Sequence, residues 1–201
     1  MSTNFENKIE IFEAMASALR VLTGRLAEVA REATHEQIQA KEDGAAAVAR
    51  LPDDLELKAL KARPEIAVDL IRMIGDVRRI SELVDHLAAR TTLKVPAVSA
   101  EMDDRLRRIF DLTGTLLGET QDAIASRGVE QARAAARRES ELDDWYDLLL
   151  TEMFEDVVEE GAVPPQLHDV AATAKLLERV GGSAVELAQG AARVLGRSAS
   201  A

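Results

Sequence analysis

The chain contains no cysteine. That excludes disulfides, thiolate catalysis and cysteine-ligated zinc or iron–sulfur centres. Aromatic residues make up only 3% of its 201 residues, and the strand-type runs of Val, Ile, Thr and Tyr expected of a sheet are missing. No apolar run approaches the roughly 18 residues of a membrane span. The N-terminus, MSTNFENKIEIFEAM, lacks the basic and then apolar pattern of a signal peptide. Basic residues are outnumbered, 25 Lys and Arg against 36 Asp and Glu, for a net charge of −11. Such a surface repels phosphate backbones and anionic lipid, so neither nucleic acid nor membrane insertion is expected. The expected location is the cytoplasm.

What the chain does have is helical patterning and an internal repeat. Ala, Leu, Val, Arg and Glu dominate, and 47% of residues are hydrophobic, a composition suited to long helices packed through aliphatic side chains. KLLERVGGSAVELA (175–188) has a weaker copy 100 residues earlier, GDVRRISELVDHLA (75–88). Arg79 corresponds to Arg179, Ile80 to Val180, Ser81 to Gly181, Leu87 to Leu187 and Ala88 to Ala188. Upstream, Pro64 matches Pro164 and Asp69 matches Asp169. A fixed-period repeat of this kind precedes any choice of fold.

Apolar spacing predicts six helices. The first covers Asn4 to about Arg31, on the stripe Phe5, Ile9, Phe12, Ala16, Leu19, Leu22, Leu26 and Val29. The second is a thin segment from His35 to Arg63, weakened by Gly44 and broken or kinked at Pro52. Pro64 opens the third, whose heptad seam is Ile66, Leu70, Met73, Val77, Ile80, Val84 and Leu87. Ser99 is available to cap the fourth, which runs from Glu101 to Ser126 and stops at Gly128. The fifth covers Val129 to Glu160, and the sixth runs from Gln166 to about Gly196. The expected fold is all-α: a first three-helix repeat over 1–92, a linker over 93–100 and a second three-helix repeat over 101–201. Helical seams of this type suggest that the halves pack side by side.

LERVGGSAVELA (177–188) resembles the signature of the PhoU family of phosphate-uptake regulators. Leu177, Glu178, Arg179, Gly181, Ala184, Leu187 and Ala188 fit it. ARRESELDDWYDLL (136–149) resembles the family's preceding helix, with Glu139, Asp143 and Tyr146 in the places of its D-x-x-x-D-x-x-Y spacing. RPEIAVDL (63–70) resembles the P-x-A-x-D-L start of its third helix, with one residue added. The resemblance implies two tandem three-helix units, and an adaptor rather than an enzyme. It implies contacts with a phosphate-transporter ATPase and a membrane sensor kinase, and negative regulation of phosphate-starvation signalling. A homodimer is expected. Some members bind iron or zinc through an E-x-x-x-D pair in each repeat. Here the first copy reads Arg78-x-x-x-Glu82 and the second Glu178-x-x-x-Gly182, so no metal cofactor is expected; Glu139, Asp143 and Glu178 form the alternative set.

Glu139, Glu141, Asp143, Asp144 and Asp147 form a dense acidic run around Trp145, the only Trp. It reads as an exposed helical face or as a docking surface, Glu139, Asp143, Asp144, Trp145 and Asp147, for a basic partner. Arg78, Arg79, Glu82, Glu178, Arg179, Gly181 and Gly182 are the repeat-motif positions. Gly181–Gly182 in mid-helix weakens the helix by about 1–2 kcal/mol relative to alanine, and close approach of another helix is the expected reason. Glu32-x-x-His35 has di-iron ligand spacing, but its repeat equivalents are Ala132 and Ala135. Arg137 and Arg138 can pair locally with Glu141. No phosphate-binding glycine loop or nucleophile triad is present.

Overall fold

The computed structural model describes residues 2–33, 51–91, 99–160 and 165–199. Seven helices occur among them: α1 Ser2–Ala33, α2 Leu55–Leu60, α3 Pro64–Thr91, α4 Ala100–Ser126, α5 Val129–Ala136, α6 Glu139–Glu160 and α7 Pro165–Ala199. No strand occurs among the described residues. Most of the segment expected as a second helix, and the linker around Pro96, lie outside the described residues. In the described part of that segment, Pro52 opens a turn, with Leu55 N–H bonded to its carbonyl at 3.2 Å, and α2 begins at Leu55.

The expected fifth helix is two helices. Arg137 and Arg138 form a turn closed by Arg137 N–H to Ala134 O and Arg138 N–H to Ala135 O, at 3.2 and 3.1 Å. Two forces act there. Ala132 and Ala135 bury α5 in the core, while the Arg138 guanidinium binds Glu119 on α4 at 2.7 Å and Glu141 at 3.1 Å. The junction before it also differs in detail. Gly128 does not take the left-handed conformation; Arg127 does, at φ 55°, and Gly128 caps α5. Ser99 caps α4 as expected, accepting from Met102 N–H at 3.0 Å.

Helices α1, α3, α7 and α4 form a ring in which each packs on its neighbours. Helix α2 lies on α1 and α3, and α5 and α6 lie on α4 and α7. The heptad seam of α3 is fully buried, as are Leu106, Ile109, Leu116 and Ala123 of α4 and Val170, Leu177, Val180 and Leu187 of α7. A single apolar cluster draws on all seven helices. Burial of this kind, rather than intrinsic propensity, supplies most of the stability of packed helices.

Cross-helix pairs fix the direction of the central pair. Asp69 meets Arg193, Met73 faces Gly190, Arg79 meets Glu186 and Arg90 meets Asp169. As the α3 number rises, the α7 number falls, so the two helices are antiparallel. Their residue numbers sum to about 262, so the middles of the two copies of the motif pass each other.

Candidate interaction surface

The motif positions surround that crossing but do not share one environment. Arg78 turns outward to α2 and binds Glu56. Arg79 is half-exposed and lies 3.9 Å from Glu186 of α7. Glu82 and Arg179 are exposed. Glu178 pairs with Lys175 one turn earlier, at 2.6 Å. Gly181 is buried, and a β-carbon there would overlap the Leu142 side chain of α6, with Leu116 of α4 just beyond. What Gly181 meets is the end of the Leu142 side chain, not the backbone of another helix. Gly182 has open space where its β-carbon would stand, so close approach does not explain it. The tight contact between α3 and α7 is instead at Gly190, where a β-carbon would come 2.7 Å from Met73 Cγ. The doubled glycine drew attention to positions 181 and 182; a lone glycine nine residues on gave no such signal.

Helix α6 carries the acidic run. Glu139, Asp143, Asp144 and Asp147 are exposed. Glu141 is held between Arg108, at 3.5 Å, and Arg138, at 3.1 Å. Trp145 is half-buried and packs against the core, with the Arg108 guanidinium over its ring at 5.7 Å. Its neighbour Tyr146 has the Lys175 ammonium over its ring at 5.3 Å. Trp145 therefore braces α6 against α4, while the carboxylates around it face solvent. Burial and the nearby charges of Glu178, Asp147 and Asp144 push the Asp143 carboxyl above its ordinary value, with Lys175 opposing them. The structure thus brings Asp143 and Glu178 into one field across α6 and α7.

The donor set does not fit a metal ion. Arg78 puts a guanidinium, already bound to Glu56, at a ligand position. Glu178 is neutralised by Lys175. Among the described residues no group of three or more His, Asp or Glu side chains could hold a metal. A hard or borderline cation needs several anionic ligands at once.

Two features were not singled out in the sequence. Asp69, with a side chain only 9% exposed, accepts from Arg193 and Arg197 of α7 at 3.0 Å each. Asp76, half-buried on α3, has its carboxyl pushed up to about 6 by burial and by Glu186, against Arg79, Arg193 and Arg72. The repeat flagged Asp69 only as a match to Asp169, and the partners lie more than 120 residues away. The outer surface of α6 was missed as well. Leu148, Phe154 and Val158 are apolar residues left over once the buried seam is assigned, and all three are exposed.

The family model for the PhoU domain matches residues 106–191. The phosphate-specific transport system accessory protein PhoU homolog of Rhizobium meliloti (strain 1021) is 26% identical over 204 residues, covering 89% of this chain and 86% of that protein. The crystal structure of PhoU from Pseudomonas aeruginosa superposes with a TM-score of 0.65 at 17% identity, covering 98% of this chain and 95% of that one. The phosphate transport system regulatory protein PhoU from Streptococcus pneumoniae gives a TM-score of 0.61 at 15% identity, covering 94% and 90%. Among the described residues no helix is long and apolar enough to cross a membrane.

Proposed function

We propose that this chain belongs to the PhoU family and is a cytoplasmic adaptor that regulates phosphate transport and phosphate-starvation signalling through protein contacts. Its partners in this reading are the ATPase of a phosphate transporter, a sensor kinase, or both. It acts by binding, not by catalysis.

The observation that carries the reading is the face of α6. The helix holds ten Asp and Glu residues and no Lys or Arg, and Asp143, Asp144 and Asp147 face solvent. A surface of one charge sign steers a partner of the other sign and sets the register of docking. The bound state of one partner then biases the next, which is all that a regulatory adaptor requires. Docking of this type weakens as salt screens the charges.

The test is alkaline phosphatase activity in high-phosphate medium. A deletion strain is expected to be constitutive, with repression restored by the wild-type copy. Asp144→Lys with Asp147→Lys is expected to fail to restore it at equal protein level, because both side chains lie in solvent and the fold does not depend on them. Unchanged repression in a strain lacking this chain and any second family member overturns the phosphate role. What then remains is a helical bundle that serves another assembly.

A further inference from the structure

Phe154 and Val158 of α6 are 70% and 80% exposed, and Leu148 is 47% exposed. Phe154 also forms the lip of an apolar groove of about 280 Å³ between α6 and α7. Leu150, Met153 and Val157 line one wall, and Leu167, His168 and Ala171 the other. Asp143, Asp147, Phe154 and Val158 follow one another at helical spacing along a single strip of α6. The groove is thus continuous with the exposed acids, and Glu155 flanks it on the outer side. An exposed apolar patch with a charged rim marks an interaction site.

We propose that this groove receives a basic amphipathic helix from a partner protein. Its apolar side chains enter between α6 and α7, and its Lys and Arg residues meet Asp143, Asp147 and Glu155. Two parallel-walled helices with an apolar slot between them accept a third helix, whose i, i+3 and i+4 anchors match the slot. Charge decides against the other occupants. A symmetric pairing of two copies would set one α6, with ten acids and no base, against another. An anionic lipid surface is repelled for the same reason. The corresponding corner of the first half also exposes apolar residues, Leu57 and Val68. There exposed charges of both signs, Lys61 and Arg63 beside Asp53, Asp54 and Glu65, give no rim of a single sign.

The proposal rests on the reading of the chain as an adaptor, but not on its link to phosphate. It is tested in vitro with the full chain and a fluorescein-labelled Leu/Lys peptide of about 18 residues, roughly five helical turns. The peptide is amphipathic as a helix; a scrambled peptide of equal composition is the control. Fluorescence anisotropy is expected to show the amphipathic peptide binding about tenfold tighter. Phe154→Ser with Val158→Ser is expected to weaken it by about tenfold with unchanged circular dichroism. Asp143→Asn with Asp147→Asn is expected to weaken it and to flatten its salt dependence. Equal affinity for the two peptides, or affinity unaffected by Phe154→Ser with Val158→Ser, overturns the proposal. So does a dimer in sedimentation that those two substitutions dissolve, since the occupant is then a second copy. The assay contains no phosphate and no transporter, so a failure of the phosphatase test leaves its result standing.

Discussion

Helices α3 and α7 carry the same sequence pattern in different surroundings, and their two meeting points show what surroundings do. At one end, Asp69 is almost sealed, its side chain 9% exposed, and it holds two arginines of α7. At the other, the equivalent Asp169 is 49% exposed and meets Arg90, at 2.8 Å. The residue is the same and the repeat position is the same, but burial gives the two pairs unequal weight. The motif cores differ in a second way. Gly181 lies beneath Leu142, whereas its equivalent Ser81 is buried with a side chain of its own. Arg78 and Glu178 occupy equivalent places with opposite charge, and each finds its own partner, Glu56 or Lys175. An internal repeat thus preserves the packed seam while its polar positions diverge.

The contrast can be pressed hardest at the glycines. Gly181→Val drives a branched side chain into Leu142 and is expected to destabilise the protein by about 3 kcal/mol in chemical denaturation. Gly182→Ala, into open space in the same helix, is expected to stabilise it by about 0.5–1 kcal/mol. Equal effects at the two sites would break the assignment of close packing to position 181 alone.

The two aspartates come next. Asp69→Asn leaves two arginines facing a neutral group at a nearly closed site, and is expected to lower stability by about 2 kcal/mol. Asp169→Asn is expected to lower it by about 0.5 kcal/mol, as for other exposed pairs. Similar losses would mean that burial does not separate them.

The effect confined to part of the pH range is at Asp76, on the face α3 shares with α7. Its carboxyl is raised from 3.8 to about 6, so between these values the folded state holds a proton that the unfolded chain has released. Stability therefore falls as pH rises through that window. Asp76→Asn removes the penalty and is expected to stabilise the protein by about 1 kcal/mol above pH 6, after allowance for the solvent-exposed half of the side chain. The gain should vanish below about pH 4. A gain that is flat with pH would place its origin elsewhere.

Much of the architecture was legible in the sequence because helical burial has a period. The seam of α3, read from spacing alone, is buried at every position, and Val170, Ala174, Leu177, Val180, Ala184, Leu187, Ala191 and Val194 of α7, at the same three- and four-residue steps, are buried too. The cap at Ser99 is local chemistry and also holds. The division of the expected fifth helix was not legible. Ala132 and Ala135 continue the helical pattern into Arg137 and Arg138, and the pair of Arg138 with Glu119, on another helix, is not visible in the local sequence. In the first helix, Ile11 and Met15 are core residues outside the expected stripe, because α1 packs on both α3 and α4 and needs a wider apolar face.

For the surface, the sequence supplied the acids of α6 and the position of Trp145. It could not tell which carboxylates face solvent and which are held, as Glu141 is, by arginines of other segments. Nor could it show that Phe154 stands at the mouth of a groove, since the opposite wall belongs to α7.

By itself, then, the sequence determined the helical class, the seams and the repeat, because each is a periodic or local property of the chain. The tertiary structure alone decided how Asp69 and Asp169 differ, which glycine is needed, and where an apolar groove opens beside the acids. Those depend on distance between segments far apart in the chain, and on how much water each site retains.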